Sequence, residues 1–424
     1  MKPPKVVVDP ISGIINLRPV LPIVETRQFQ ALAGKCQLGV TSLVFRAARH
    51  TRYEHCLGAY AATLVRARQW KDQGSVTQEE ADALAVYALI HDVGHPAFSH
   101  VTEDFLPLDD DEMTLEMVRG ELRLAIAACN VDPALVESFA DRSNSLYLGV
   151  HDKNLGTEKL DYLERDGFYT LLSRPVAIQY LREYVYFVNG VVAVDEKVVD
   201  HAADLQTFYM KMYKEVYLRK ALVIAQRMFH KTVQRLSSSG ELDAAQLQPM
   251  VDAELIGLMY ASEDPVVRTL YQALRERRLF REVISIRPKG FVQETRIAGK
   301  HIHPFEVERE EMDRLTQFPM LQKENHWGLE ALEQEIAARA KIPQHSVLVV
   351  PVFNPERFCP KDVQIYGSDG KLHSLRDRRP AHYARLEETA ASYVALRICA
   401  QEQYREQLYW AVPEVYAFLQ TLSA

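Results

Sequence analysis

The segment Ala88-Leu-Ile-His91-Asp92-Val-Gly94-His95-Pro-Ala-Phe98-Ser99-His100 places three histidines and an aspartate within ten residues. It follows directly on the apolar run from Ala83 to Ile90, which reads as a buried helix, so the His91–Asp92 pair stands at the edge of a core. Burying an imidazole or a carboxylate without a partner is costly, and a metal ion is a strong partner for both. Upstream lies His50-Thr-Arg52-Tyr-Glu54-His55-Cys-Leu-Gly58, and downstream Glu158-Lys159-Leu-Asp161-Tyr162-Leu-Glu-Arg165-Asp166. A divalent metal takes about four protein donors, commonly from separate helices. His55, His91, Asp92 and one carboxylate of the downstream segment make such a set. Arg52 and Lys159 would bring positive charge to the same place, as a phosphate substrate requires, with His95 and His100 as proton carriers.

The elements that must position these residues are mostly helices. Residues 57–70, 79–92, 112–130, 203–237, 253–277, 307–316 and 384–422 carry apolar residues at three-and-four spacing. Strand signals are fewer. Lys5–Val8 and Ile14–Leu17 flank the turn-rich Asp9-Pro-Ile-Ser-Gly13 and predict a short hairpin, and 281–286 and 346–352 are β-branched runs. A second hairpin is expected at 363–366 and 371–375 around Gly367-Ser-Asp-Gly370. Soft points fall at Ser237-Ser-Ser-Gly240 and Arg376 to Pro380. The fold expected is mainly α: a helical core over 1–240, then a helical extension and smaller mixed α/β lobe over 241–424.

The chain has 424 residues, 47% hydrophobic and 25% charged, a composition ordinary for a globular protein. A net charge of −7 gives no general attraction to nucleic acid or to an anionic membrane. The five cysteines show no CxxC spacing, so neither a zinc knuckle nor a disulfide framework is signalled, and Cys56 reads as a small buried side chain. No stretch approaches 18 apolar residues, and a cytoplasmic location without membrane contact is expected. The acidic run Asp109-Asp-Asp-Glu112 reads as a helix N-terminus.

The ordered series Asp9-Pro-Ile-Ser-Gly13, Gln28-Phe-Gln30, Gln37-Leu38-Gly39, Arg52-Tyr-Glu-His55, His91 to His100, and Lys159-Leu-Asp-Tyr162 to Arg165-Asp166 resembles the HD-domain phosphohydrolases. The branch it is most similar to is the dNTP triphosphohydrolases, without the sterile-alpha-motif domain that one member adds. The resemblance implies an HD helical bundle in which His55, His91 and Asp92 ligate a divalent transition metal (Fe, Mn, Ni, Co or Zn), with Mg accompanying the substrate phosphates. Glu158 stands where the family has an aspartate ligand, and Asp161 is the reserve. The extra methylene of glutamate shifts the ligand by about 1.5 Å, and errors of that order can cost ~10²-fold in rate.

By the same resemblance Arg52 and Lys159 bind phosphate, and His95, His100 and Glu103 serve catalysis. Tyr162, Asp166 and Gln37 hold the sugar, the latter two through its 3′-hydroxyl, and Leu38 packs on the base. Other family positions differ: Leu115 replaces a histidine, Glu215 a phosphate-binding arginine, and Val223 a tyrosine that helps exclude a 2′-hydroxyl. Glu25 and Ala33 replace an aspartate and an arginine of a guanine-reading activator site. The first expectation is hydrolysis of a dNTP to deoxynucleoside and inorganic triphosphate by a homo-oligomer. The alternatives are an HD-type phosphodiesterase or 3′-end nuclease, a ribonucleotide hydrolase, and a nucleotide-binding regulator with little turnover.

Overall fold

The computed structural model describes residues 5–171, 173–175, 178–290 and 302–423. The chain forms two compact units, and both are assembled from separated segments. The first comprises Met1–Met212, Asp243–Gly257 and Pro360–Tyr383; the second comprises Tyr213–Leu242, Leu258–Cys359 and Ala384–Ala424. A single division at 240 does not describe this arrangement. The reason is pairing: segments far along the chain return to complete structures begun before residue 212.

In the first unit, β1 (Val6–Asp9) and β2 (Gly13–Asn16) form the expected antiparallel hairpin, whose reversal uses Gly13 at φ +75°. Helix α1 (Arg52–Asp72) begins at a capping box in which Thr51 and Glu54 satisfy each other's end of the first turn. Helix α2 (Gln78–Ile90) begins the same way with Thr77 and Glu80. From Ala83 to Ile90 every α2 residue is buried, as its unbroken apolar run predicts. Helix α3 (Asp110–Arg119) starts at Asp109, whose carboxylate caps the Glu112 N–H, so the acidic run is a helix N-terminus. Helix α4 (Thr157–Leu171) packs on α1 at Gly58, where a Cβ would run into the Asp161 carboxylate and the Arg165 guanidinium. Strands β3 (Val185–Val188) and β4 (Val191–Asp195), unmarked in the sequence reading, form a hairpin followed by helix α5 (Val199–Met212). The strands Gln364–Tyr366 and Leu372–Ser374 make the second expected hairpin, and the first of them joins β4 in parallel.

The second unit contains helix α6 (Lys220–Ser238), strands β5 (Arg281–Pro288) and β6 (His303–Val307), helix α7 (His326–Ala340), and strands β7 (Val347–Val350) and β8 (Leu396–Ala400). The sheet runs β6-β5-β8-β7, with β8 antiparallel to both its neighbours. The helix expected over 384–422 is therefore wrong in its middle. Val394-Ala-Leu-Arg-Ile-Cys-Ala400 is apolar without a clear period, and its place between two strands makes it a buried strand. The helix expected over 203–237 is interrupted by a wide π turn at Tyr213–Tyr217. That over 253–277 breaks before Pro265, and that over 112–130 breaks at Gly120.

Candidate metal centre

Helix α1 presents Arg52 and, one turn on, His55; the chain leaving α2 presents His91 and Asp92. His55 Nε2 lies 3.2 Å from His91 Nε2 and 3.7 Å from Asp92 Oδ2, and His91 Nε2 lies 3.5 Å from Asp92 Oδ1. All three side chains are buried. Their other nitrogens are occupied. His91 Nδ1 bonds the Ala88 carbonyl at 2.8 Å, so it must carry the proton, and His55 Nδ1 bonds Asp161 Oδ2 at 2.8 Å. Both Nε2 lone pairs are thereby left facing Asp92, the arrangement in which outer hydrogen bonds fix the tautomer of metal-binding histidines. Two imidazoles and a carboxylate with donor atoms within 4.8 Å of one another suit a divalent transition metal.

Behind His55 the carboxylate of Asp161 accepts two hydrogen bonds from Arg165, at 3.0 Å each, and Arg165 in turn donates to Asp9 at 2.8 Å. Burial works against the charge on Asp161, but Arg165 and His55 hold its carboxyl below the usual range. Asp161 is thus held behind His55 and lies outside the group of three donors. Glu158 is placed against His151 Nδ1 at 2.6 Å, outside the group of three donors. Burial raises its pKa, yet His151 pulls it down to about 2. The His151 ring meets that of His91 edge-on at 5.4 Å, and its buried Nε2 has no hydrogen-bond partner among the described residues. Sequence reasoning missed His151; its one signal is an isolated histidine seven residues before Glu158.

The charged groups divide by location. Arg52 is buried, bonds Asp92 through Nη1 and Ser99 Oγ through Nε at 2.6 Å, and keeps a buried Nη2 that has no partner among the described residues. Lys159 is half-buried, donates to the Lys153 carbonyl and lies 3.6 Å over the Tyr209 ring. Burial lowers its pKa to about 7. His95 Nε2 sits between Asp92 Oδ1 at 3.2 Å and Asp110 Oδ2 at 2.9 Å, a partner the sequence reading did not assign. Burial and Arg52 disfavour its charge, but the two carboxylates outweigh them and raise its pKa. His100 packs edge-on against His95 at 4.7 Å, bonds Glu103 at 2.8 Å and is exposed.

Of the sugar and base positions, Tyr162 lies edge-on to His55 at 6.4 Å. Gln37 donates its backbone N–H to the His50 carbonyl, and the His50 imidazole bonds Asp166 at 2.8 Å while stacking on Tyr169. Gln37 and Asp166 are therefore joined through His50, and the buried Gln37 Oε1 has no partner among the described residues. Leu38 is half-buried in the turn that accepts the Thr41 hydroxyl. Cys56 is fully buried, and burial pushes its thiol well above the usual range, so it is no nucleophile.

Fold and site together define a helical protein with a buried His–His–Asp centre. An HD-domain model matches residues 52–131 and an HD-associated-region model residues 177–315, so the chain carries an HD domain followed by an HD-associated region. It is 28% identical over 249 residues to the uncharacterized protein YwfO of Bacillus subtilis, covering 54% of this chain and 56% of that one. It is 24% identical over 322 residues to the deoxynucleoside triphosphate triphosphohydrolase SAMHD1 homolog of Dictyostelium discoideum, covering 67% and 61%. Against the SAMHD1 of Gallus gallus the identity is 40% over 109 residues, 24% of this chain and 18% of that protein. The chain spans about half to three fifths of the length of the first curated relatives it matches. A phosphohydrolase from Bacteroides thetaiotaomicron shares the fold at a TM-score of 0.70 and 21% identity, over 94% of this chain and all of that one. A hypothetical protein from Aquifex aeolicus does so at 0.71 and 20%, over 97% and 100%. Among the described residues no helix is long and apolar enough to cross a membrane.

Proposed function

We propose that this protein is a metal-dependent phosphohydrolase acting on nucleotides, and that it converts a dNTP to deoxynucleoside and inorganic triphosphate. The observation that carries the reading is the buried group of His55, His91 and Asp92 with the Arg52 guanidinium bonded to Asp92. Two relatives bearing the name of dNTP triphosphohydrolases support the choice of substrate. These three ligands would hold the ion, with Glu158 as the adjoining carboxylate. When bound, a divalent ion there supplies Lewis acidity and water acidified enough to attack phosphorus.

The chain's own residues do the rest. Arg52 offers Nη2 to phosphate oxygens, and Lys159 gains a proton readily when an anion arrives, because its pKa lies near 7. Asp92 and Asp110 orient His95 and favour its protonated form. Water adds to the α-phosphorus and gives a proton to solvent, the bond to the 5′-oxygen breaks, and the leaving oxygen takes a proton from His100, which Glu103 holds and solvent reprotonates. Gln37, Asp166 and Tyr162 would grip the sugar, and Leu38 the base. We expect the active form to be a homo-oligomer.

The test is to incubate metal-reconstituted protein with dNTPs, NTPs and single-stranded oligonucleotides, with and without GTP. Inorganic triphosphate released from dNTPs is the expected result. Mononucleotides released from oligomers, or nucleotide binding without turnover, would replace the reading with a nuclease or a regulator.

A further inference from the structure

The loop that carries the second half of the histidine motif has an unusual backbone. Phe98 and Ser99 are consecutive non-glycine residues in the left-handed region, at φ +61° and +55°. Such residues are strained and persist only where their surroundings over-determine them. The restraint comes from a distant segment, residues 248–252. Asp252 Oδ1 accepts the Phe98 N–H at 2.7 Å, and Oδ2 accepts the Cys36 N–H at 2.9 Å. Beside it the Gln248 carbonyl and the His95 carbonyl, at 2.9 and 2.6 Å, share the buried ammonium of Lys35. Gly34 lets Val251 approach so closely that a Cβ would lie 2.7 Å from its side chain.

The restrained turn holds Ser99 in a productive place. Its hydroxyl accepts from Arg52 Nε at 2.6 Å and donates to the Cys36 carbonyl at 2.9 Å. One carboxylate therefore fixes both strands of backbone that locate this hydroxyl: Cys36 through its N–H and Phe98 through its N–H. Among the described residues the Asp252 carboxylate bonds the Phe98 and Cys36 backbone, and those two segments place Ser99, which bonds Arg52.

We propose that Asp252 is a positioning residue for Arg52, acting through the strained Phe98–Ser99 turn. This rests on the reading of Arg52 as a phosphate-binding group. Asparagine at 252 keeps one acceptor oxygen but turns an N–H₂ toward the other backbone N–H, so one of the two restraints is lost. The turn then relaxes, Ser99 leaves Arg52, and the guanidinium is held by Asp92 only.

The experiment is a double-mutant cycle of Asp252→Asn and Ser99→Ala, using the full chain and the dNTP it turns over best. Each single variant should raise KM about tenfold, the worth of one hydrogen bond to a charged group, with metal content unchanged. Kcat should fall less than KM rises. The double variant should be no worse than Ser99→Ala, because both act on one contact. Independent, multiplying losses would overturn the proposal, as would a loss confined to kcat. Amide hydrogen exchange supplies a readout that needs no turnover. Whichever of the Phe98 and Cys36 amides loses its acceptor should exchange faster in Asp252→Asn, both should exchange at wild-type rates in Ser99→Ala, and unchanged exchange of both in Asp252→Asn would overturn the clamp. Absence of any turnover by the wild type sinks the phosphohydrolase reading instead, and the exchange rates then decide the clamp by themselves.

Discussion

Two buried charge networks, one in each unit, look alike in composition and differ in how they end. In the second unit Glu333 on α7 is fully buried and accepts from Arg227 at 3.0 Å, Lys231 at 2.5 Å and the Val349 N–H at 3.0 Å. Arg227 and Lys231 also bond the β7 carbonyls of Val349 and Val347. Its charges bond one another and the sheet. In the first unit the series Asp9–Arg165–Asp161–His55 is just as buried, but it ends on an imidazole nitrogen that faces another imidazole and a carboxylate. Around that point Arg52 Nη2, His95 Nδ1 and His151 Nε2 are buried and find no hydrogen-bond partner among the described residues. Buried charge by itself marks neither stability nor function. Buried polar atoms left without partners around one point mark a site.

The largest expected effect lies in the closed network. Glu333→Ala leaves two buried cations without their carboxylate and should cost about 3–5 kcal/mol in urea denaturation. A loss below about 1 kcal/mol would show that this network is not closed in the sense described.

A smaller effect is expected in the open network. Asp161→Asn no longer fixes the His55 tautomer, and metal affinity should fall about 10–100-fold by titration with elemental analysis. If metal retention is unchanged while stability drops, the first network is structural too and the contrast fails.

The smallest effect concerns the two lysines. Lys231 is buried against Glu333, whereas Lys159 donates to the Lys153 carbonyl and lies over the Tyr209 ring. With a folded pKa near 7 against 10.5, Lys159 binds a proton less readily folded than unfolded, so its charge opposes folding. Stability should rise with pH between about 7 and 10.5 on this account. Lys159→Met should therefore raise the urea midpoint most below pH 7 and not at all above 10.5. A substitution that destabilises at pH 6.5 would make Lys159 a structural lysine like Lys231.

Parts of this were readable in the chain and parts were not. Helix α2 was legible because its apolar run has the length and caps of a buried helix, and both hairpins because glycine and aspartate mark their turns. Strand β8 was not, since a short apolar run without period is equally a helix or a strand until neighbours on both sides supply hydrogen bonds. His55, His91 and Asp92 were legible as a group because imidazole and carboxylate at the ends of buried helices have few other uses. Asp110 and His151 were not, because each is an ordinary helix-end residue until the fold brings His95 or Glu158 against it.

The sequence by itself determined the kind of chemistry: residue types capable of holding a divalent ion, cations for phosphate, and helices to carry both. Only the tertiary structure decided which carboxylate does what. Glu158 and Asp161 lie one turn apart on α4, and nothing local distinguishes them. Arg165, itself anchored by Asp9 of the N-terminal hairpin, draws Asp161 behind His55, while His151 holds Glu158. Long-range ion pairs assign these roles, because buried carboxylates must find partners and the fold alone determines which are within reach.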